Sequence, residues 1–393
     1  MMLWQRVIGK YIKKGSPAGG IMAKRVLFIS NVPSPYNVAY LNELGKRMDV
    51  TAVFERGFSD ERDNSWKTLH VTDFKCILLK GFNCSVDSAF APGVLNIIYQ
   101  FEDDHIIIGN PSTPTGIMSI LYCKLFRIPY ILQSEGGIPK DGKGLKEKFK
   151  YFLMHSAKLY LSGMSLKNEY FLTYGAKPER IKQYPFTSLY AKDLVGRVPT
   201  ADEKKKLRRA LGIEAETMII SVGQFIHRKA FDILLKACTG LPDNCYVLIV
   251  GGEPTEEYIG IIKELGLKNI HFMSFVSREE LAKYYEAADI FALPTREDTW
   301  GLVINEAMAA GLPVITTDKC VAGCELIEDG VNGYLIPTED VDTLHQKIMK
   351  LVFSPELCIK MGLKSRDEIK DYTYENMARV IYNELVKSEI TNE

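Results

Sequence analysis

The chain lacks any excess of charge, with 49 Lys and Arg facing 49 Asp and Glu across 393 residues. Without a basic surplus it has no electrostatic footprint of a dedicated nucleic-acid binder. It also lacks long apolar runs. Runs such as residues 246–250 and 106–108 fall far short of the roughly 18 to 20 residues that cross a bilayer, so no transmembrane span is expected. Its eight cysteines (76, 84, 123, 238, 245, 320, 324 and 358) form no Cys-x-x-Cys pair. Neither a zinc site nor a disulfide framework is indicated, and they read as reduced thiols of a cytosolic protein. Cys320 and Cys324 lie closest and read as packing positions. The six histidines are dispersed, so the expected chemistry uses no protein-held metal. No GxGxxG fingerprint follows the first strand of either half, Gly251-Gly252 being only a partial echo, and no GxxxxGK[ST] string occurs. Nicotinamide dehydrogenases are thereby disfavoured and P-loop NTPases removed.

What is present is a composition of 46% apolar and 25% charged residues, that of a soluble globular protein. At about 150 residues per domain the length makes two or three units. No acidic residue occurs between Met1 and Asn42, while Arg6, Lys10, Lys13, Lys14, Lys24 and Arg25 are basic. Trp4, Val7, Ile8, Tyr11 and Ile12 share one helical face, a pattern suited to a helix on an anionic membrane surface. The rival reading is an extension of little consequence before a natural start at Met22. Residues 140–158 mix Lys143, Lys146, Lys148 and Lys150 with Phe149, Tyr151 and Phe152. They read equally as a second membrane-facing helix or as a solvated face over a packed stripe.

Short apolar runs at 25–30, 50–54, 104–109, 130–133 and 159–162 alternate with helical stretches. The grammar restarts at 218–223 and continues through 246–250, 270–273, 290–293 and 313–316. This predicts an α/β protein of two Rossmann-like halves, each a parallel sheet covered on both faces. Ligands of such sheets bind beyond the carboxyl ends of the strands, so facing halves make a central cleft. The expected organisation is a basic amphipathic segment (1–22), a first Rossmann-like domain (23–195), a second Rossmann-like domain (196–372) and a final helix packing back on the first domain (373–393). The charge run 203–209 is read as the solvated face of a helix rather than a nucleic-acid patch.

Two segments carry chemistry. In residues 295–314, Asp298 and Thr299 are natural N-cap residues after a strand. The amides of Trp300, Gly301, Leu302 and Val303 would then point out of a helix end, where anions bind. Glu306 lies two turns into that helix, able to turn a carboxylate toward sugar or ribose hydroxyls. In residues 221–232, Arg228 and Lys229 begin another helix after a strand. Opposite the first helix end, they become the cationic half of a diphosphate site.

Together these segments resemble the retaining, nucleotide-sugar-dependent glycosyltransferases of family 4, which have the two-domain GT-B fold. The resemblance is strong over residues 218–340. The family's Glu, seven residues, Glu motif lies where this chain has Asp298 through Glu306, followed by the string Glu306 to Val314. It implies that Glu306 binds ribose hydroxyls, that Asp298 meets the donor sugar, that the following amides hold the diphosphate, and that Lys229 neutralises the leaving group. Two departures stand out. The first acid is Asp298 with Glu297 before it, leaving open which carboxylate reaches the sugar; and Gln224 occupies a frequent arginine position, for which Arg228 compensates. Over the first half the resemblance is weaker. Glu135 is the candidate acceptor-side polar group, its bland rival a capping carboxylate, with Asn110, Ser134 and Gly136 beside it in loops at strand ends.

The resemblance implies a metal-independent transferase that moves a sugar, with retention, from a nucleoside diphosphate sugar to a saccharide or lipid-linked saccharide in cell-surface polysaccharide synthesis. A UDP-sugar is favoured over a GDP-sugar, and no further cofactor is expected. The expected location is the cytoplasm, with contact at the inner face of the cytoplasmic membrane. A sugar-nucleotide epimerase of the same architecture and a catalytically silent scaffold of a polysaccharide assembly complex are the rivals.

Overall fold

Residues 24–57, 70–135, 144–164 and 169–390 are described by a computed structural model. The basic segment 1–22 and Gly136 lie outside them. The first apolar run, β1 (Val26–Ser30), is buried at every position, as is β2 (Val50–Phe54). Strands buried on both faces need helices on both faces, and the chain supplies them between parallel strands. The remaining strands of the first half are β3 (Lys75–Leu78), a small antiparallel pair β4 (Phe82–Ser85) and β5 (Ser88–Phe90), β6 (His105–Ile108), β7 (Ile131–Ser134), β8 (Leu159–Ser162) and β9 (Ile181–Gln183). Except for the β4–β5 pair they form one parallel sheet in the order β3-β2-β1-β6-β7-β8-β9. The second half repeats the plan with β10 (Thr217–Val222), β11 (Cys245–Val250), β12 (Ile270–Met273), β13 (Ile290–Leu293), β14 (Val314–Thr317) and β15 (Gly333–Ile336). Their order is β12-β11-β10-β13-β14-β15, the doubly wound arrangement.

In each sheet the order reverses beside the first strand, between β1 and β6 and between β10 and β13. Loops leaving the carboxyl ends of those strands diverge and open a crevice. The halves are joined by residues 184–200, and hydrogen bonds fix this connection to the second half. The Val195 amide donates to the Ala309 carbonyl at 3.1 Å. The Thr187 hydroxyl donates to the Tyr372 carbonyl at 2.7 Å and the Arg366 guanidinium to the Val195 carbonyl at 2.7 Å. The last helix, Tyr374–Ile390, starts against Leu189, packs on the Pro35–Gly45 helix and ends with Glu389 on the His105 imidazole at 2.6 Å.

The charge run needs a correction. The Ala201–Ala210 helix is not solvated at Lys204 and Arg208, which are 2% and 1% exposed. Lys204 donates to the Ala288 carbonyl and Arg208 to the Ala287 carbonyl, both at 2.7 Å, and Arg208 pairs with Asp289 at 2.8 Å. Those carbonyls close the Arg278–Ala287 helix. Burial is tolerated because the orphan carbonyls of a helix end and its negative dipole supply partners for the cations.

Candidate active site

The Lys229 ammonium donates to Asp298 Oδ2 at 2.6 Å, and Arg228 Nη1 donates to Asp298 Oδ1 at 3.1 Å and to the Glu297 carbonyl at 3.0 Å. Both segments singled out in the second half therefore meet at one carboxylate. The loop after β10 delivers the cations through a short 3₁₀ turn, His227–Lys229, rather than a regular helix start, with Ala230 at φ 55° leading into the Phe231–Ala237 helix. Two further bonds join the loops: the Arg296 amide and the Thr295 hydroxyl donate to the Arg228 carbonyl, each at 2.8 Å. Gly223 lets the Lys229 stem lie flat, since a Cβ there would stand 3.2 Å from Lys229 Cε. Gln224 is exposed beside it.

The loop carrying Asp298 is pinned from the other side. The Asp298 amide donates to the Lys319 carbonyl at 3.0 Å, and the Val321 and Ala322 amides donate to the carbonyls of Asp298 and Trp300 at 3.2 and 2.8 Å. The Leu302–Ala309 helix is capped by Gly301 at φ 99°, not by Asp298 or Thr299. Asp298 is unavailable as a cap because its carboxylate is drawn to two cations, and a side chain at Gly301 would stand 2.7 Å from Cys320 Sγ. Among the described residues, the amides of Gly301, Leu302 and Val303 donate to no protein acceptor, which leaves a positive helix end open beside the cations. Glu297 and Thr299 are exposed and Asp298 is buried, so of the two adjacent acids Asp298 is the one between the cations. Trp300 contributes backbone only: its ring is buried edge-on against Phe186 at 5.3 Å, and its indole N–H donates to Asn305 Oδ1 at 2.8 Å.

Glu306 stands apart from this cluster. Its carboxylate accepts from the Ser188 hydroxyl at 3.0 Å and the Tyr285 hydroxyl at 3.3 Å. It borders a hollow of about 260 Å³ together with Asp193, Arg278 and Tyr285. Burial raises its pKa, with the Arg278 guanidinium pulling the other way. In the first half, Asn110, Ser134 and Glu135 converge on a hollow of about 330 Å³ at the β1–β6 switch point, and Thr299 from the second half lines it too. Glu135 accepts from the Tyr36 hydroxyl at 3.0 Å. Loss of hydration pushes its carboxyl up to about 7 against the lowering effect of that bond.

Tyr36, Ser188, Tyr285 and Arg278 were not singled out from the sequence. Tyr36 lies in the first turn of the Pro35–Gly45 helix and its bond to Glu135 spans 99 positions; no local spacing announces such a pair. Among the described residues, no helix is long and apolar enough to cross a membrane, and no three His, Cys, Asp or Glu side chains converge as a metal site would require.

Residues 203–370 match the family model for glycosyl transferases group 1. A D-inositol 3-phosphate glycosyltransferase of Mycobacterium sp. (strain KMS) is 36% identical over 151 residues, which are 36% of this chain and 34% of that relative. The chain thus spans about a third of the relative's length. Among solved structures, Anabaena Alr3699/HepE in complex with UDP is similar with a TM-score of 0.73 at 19% identity, over 92% of this chain and 100% of that one. A glycosyltransferase from Rickettsia africae ESF-5 has a TM-score of 0.73 at 17% identity, over 93% and 99%. Residues 203–370 thus resemble glycosyl transferases group 1, in a chain whose two doubly wound sheets form a GT-B fold.

Proposed function

We propose that the protein transfers a sugar, with retention, from a nucleoside diphosphate sugar, UDP-linked in preference to GDP-linked, to a saccharide or lipid-linked saccharide of a cell-surface polymer. The observation that carries this reading is the meeting of Lys229 and Arg228 at Asp298 beside the open amides of Gly301 to Val303. In the unliganded protein the Asp298 carboxylate neutralises the two cations. An arriving diphosphate takes over Lys229, Arg228 and the helix end, and frees Asp298 to accept from hydroxyls of the donor sugar. Glu306 reads the ribose hydroxyls in place of its present bonds to Ser188 and Tyr285.

As the bond from the anomeric carbon to the phosphate oxygen breaks, negative charge grows on the diphosphate. Fixed cations and amides stabilise that charge without reorganising, and this stabilisation is the main source of rate enhancement open to such a site. No metal is needed for it. The acceptor hydroxyl enters on the same face, forms the new glycosidic bond and passes its proton to the leaving phosphate oxygen. Glu135, with a pKa near neutrality, orients that hydroxyl together with Asn110 and Ser134.

Contact with the inner face of the cytoplasmic membrane belongs to the same proposal. The neighbouring helices Pro114–Phe126 and Leu145–Met154 expose Leu125 at 75%, Phe126 at 59%, Leu145 at 85% and Phe149 at 45%. Lys146 and Lys148 are exposed among them, the mixture that seats on anionic headgroups.

Thermal-shift measurements with UDP, GDP, ADP and their sugars, followed by acceptor-dependent release of the nucleoside diphosphate, test the reading. Stabilisation by one nucleoside diphosphate and turnover only with an acceptor sugar are expected. Donor turnover without acceptor would favour an epimerase, and no stabilisation by any nucleotide would leave a silent scaffold.

A further inference from the structure

A second cationic site lies at the opposite end of the first sheet. A hollow of about 790 Å³ opens at the amino ends of β7 and β8, and its lining includes Lys124, Arg127, Lys158, Arg180, Lys182 and Lys387. Among the described residues, two carboxylates, Glu179 and Glu384, share that lining. In a chain whose charges balance overall, six cations from separate stretches of the sequence converge here. Glu384 is already paired with Lys387 at 2.8 Å. Arg127, Lys158 and Lys182 have no carboxylate within ion-pairing distance among the described residues.

Two further observations point to a ligand rather than to incidental surface charge. Burial and the nearby Lys24 ammonium push the Lys158 pKa down while the Glu389 carboxylate pulls the other way, which places the Lys158 ammonium at a partly desolvated position. Arg127 follows the Pro114–Phe126 helix at φ 56°. That left-handed position favours glycine or asparagine, yet it holds a side chain able to bond two oxygens of one phosphate.

We propose that this hollow binds a phosphate-bearing anion, as a site separate from the Lys229 clamp. The shared chemistry is a phosphate monoester or diester group held by Arg127, Lys158 and Lys182; its source is either a soluble phosphate compound or the headgroup of an anionic lipid. The Pro114–Phe126 helix links the two surfaces, since its Lys124 lines the hollow and its Leu125 and Phe126 are exposed. This inference does not rest on the glycosyl-transfer reading.

The test uses the full chain carrying Lys229→Ala, which weakens the cleft clamp's hold on the probe. Inorganic phosphate is titrated by phosphorus NMR, and sedimentation is measured with phosphatidylcholine vesicles with and without phosphatidic acid. Saturable phosphate binding, or phosphatidic acid-dependent sedimentation, is expected. The combined change Arg127→Ser, Lys158→Ser and Lys182→Ser should weaken it at least about tenfold. Should the triple variant unfold, Arg127→Ser alone, at an exposed position, should weaken it about threefold. Binding in the phosphate arm assigns a soluble ligand; sedimentation alone assigns a headgroup. Absence of both, or binding that the serine variants leave unchanged, overturns the proposal. UDP binding by the same serine changes in the chain with Lys229 intact should be unaffected, which separates this site from the cleft.

Discussion

The two switch points present opposite chemistry at equivalent places in equivalent sheets. Beyond β10 and β13 the crevice is cationic: Lys229, 11% exposed, and Arg228, 43% exposed, close on Asp298 at 9%. Among the described residues, no lysine or arginine lines the hollow beyond β1 and β6, and Glu135 is held by a tyrosine hydroxyl. On the proposed reading, the first crevice takes a multiply charged anion and the second takes neutral hydroxyls, because an isolated carboxyl near its own pKa can accept or donate a hydrogen bond at neutral pH. On that reading one fold, used twice, separates a diphosphate leaving group from a sugar nucleophile.

The sharpest way to break this contrast is Lys229→Ala. Removing this partly exposed cation should lower turnover by roughly 100- to 1000-fold, measured as nucleoside diphosphate release, while Glu135→Gln should leave binding of the nucleoside diphosphate unchanged. Asp298→Asn probes the waiting state. The cations lose their internal partner, so UDP binding measured by calorimetry should tighten several-fold, worth on the order of 1 kcal/mol, even as turnover falls. Weaker binding in Asp298→Asn would mean that Asp298 is not a placeholder.

Glu135 sharpens the other side. Its folded pKa of about 7 lies above the ordinary 4.5, so the folded state binds the proton more tightly than the unfolded chain. The associated stability is fully present below about pH 4.5 and is lost as pH rises through 7, by about 3 kcal/mol. Glu135→Gln should flatten that part of the stability-pH curve, followed by denaturant titration at several pH values. The smallest expected effect is at the junction. Trp300→Phe keeps the ring against Phe186 but removes the bond to Asn305, costing about 1 kcal/mol and a few degrees of Tm, with nucleotide binding unchanged.

Most of the architecture was legible because buried parallel strands appear as unbroken apolar runs, as in 26–30 and 246–250. The edge strand Lys75–Leu78 was not, since only half of its residues are even partly covered, and the short β9 lacked a run to see. The meeting of Lys229, Asp298 and Gly301 was legible because they sit in motif-bearing loops of a few residues. The partners that set their state were not. Ser188 reaches Glu306 across 118 positions and Tyr36 reaches Glu135 across 99, and such pairs exist only once the chain has folded. The burial of Lys204 and Arg208 escapes the sequence for a related reason: an alternation of charges along one helix does not reveal that the carbonyl end of another helix lies beneath it.

The most direct test of the diphosphate clamp is a structure of the protein with UDP bound. It should place the terminal phosphate within about 3.5 Å of Lys229 Nζ and of the Gly301 or Leu302 amide, with Asp298 released from the cations and the ribose at Glu306. A nucleotide bound elsewhere, with the Lys229–Asp298 bond intact, would contradict it.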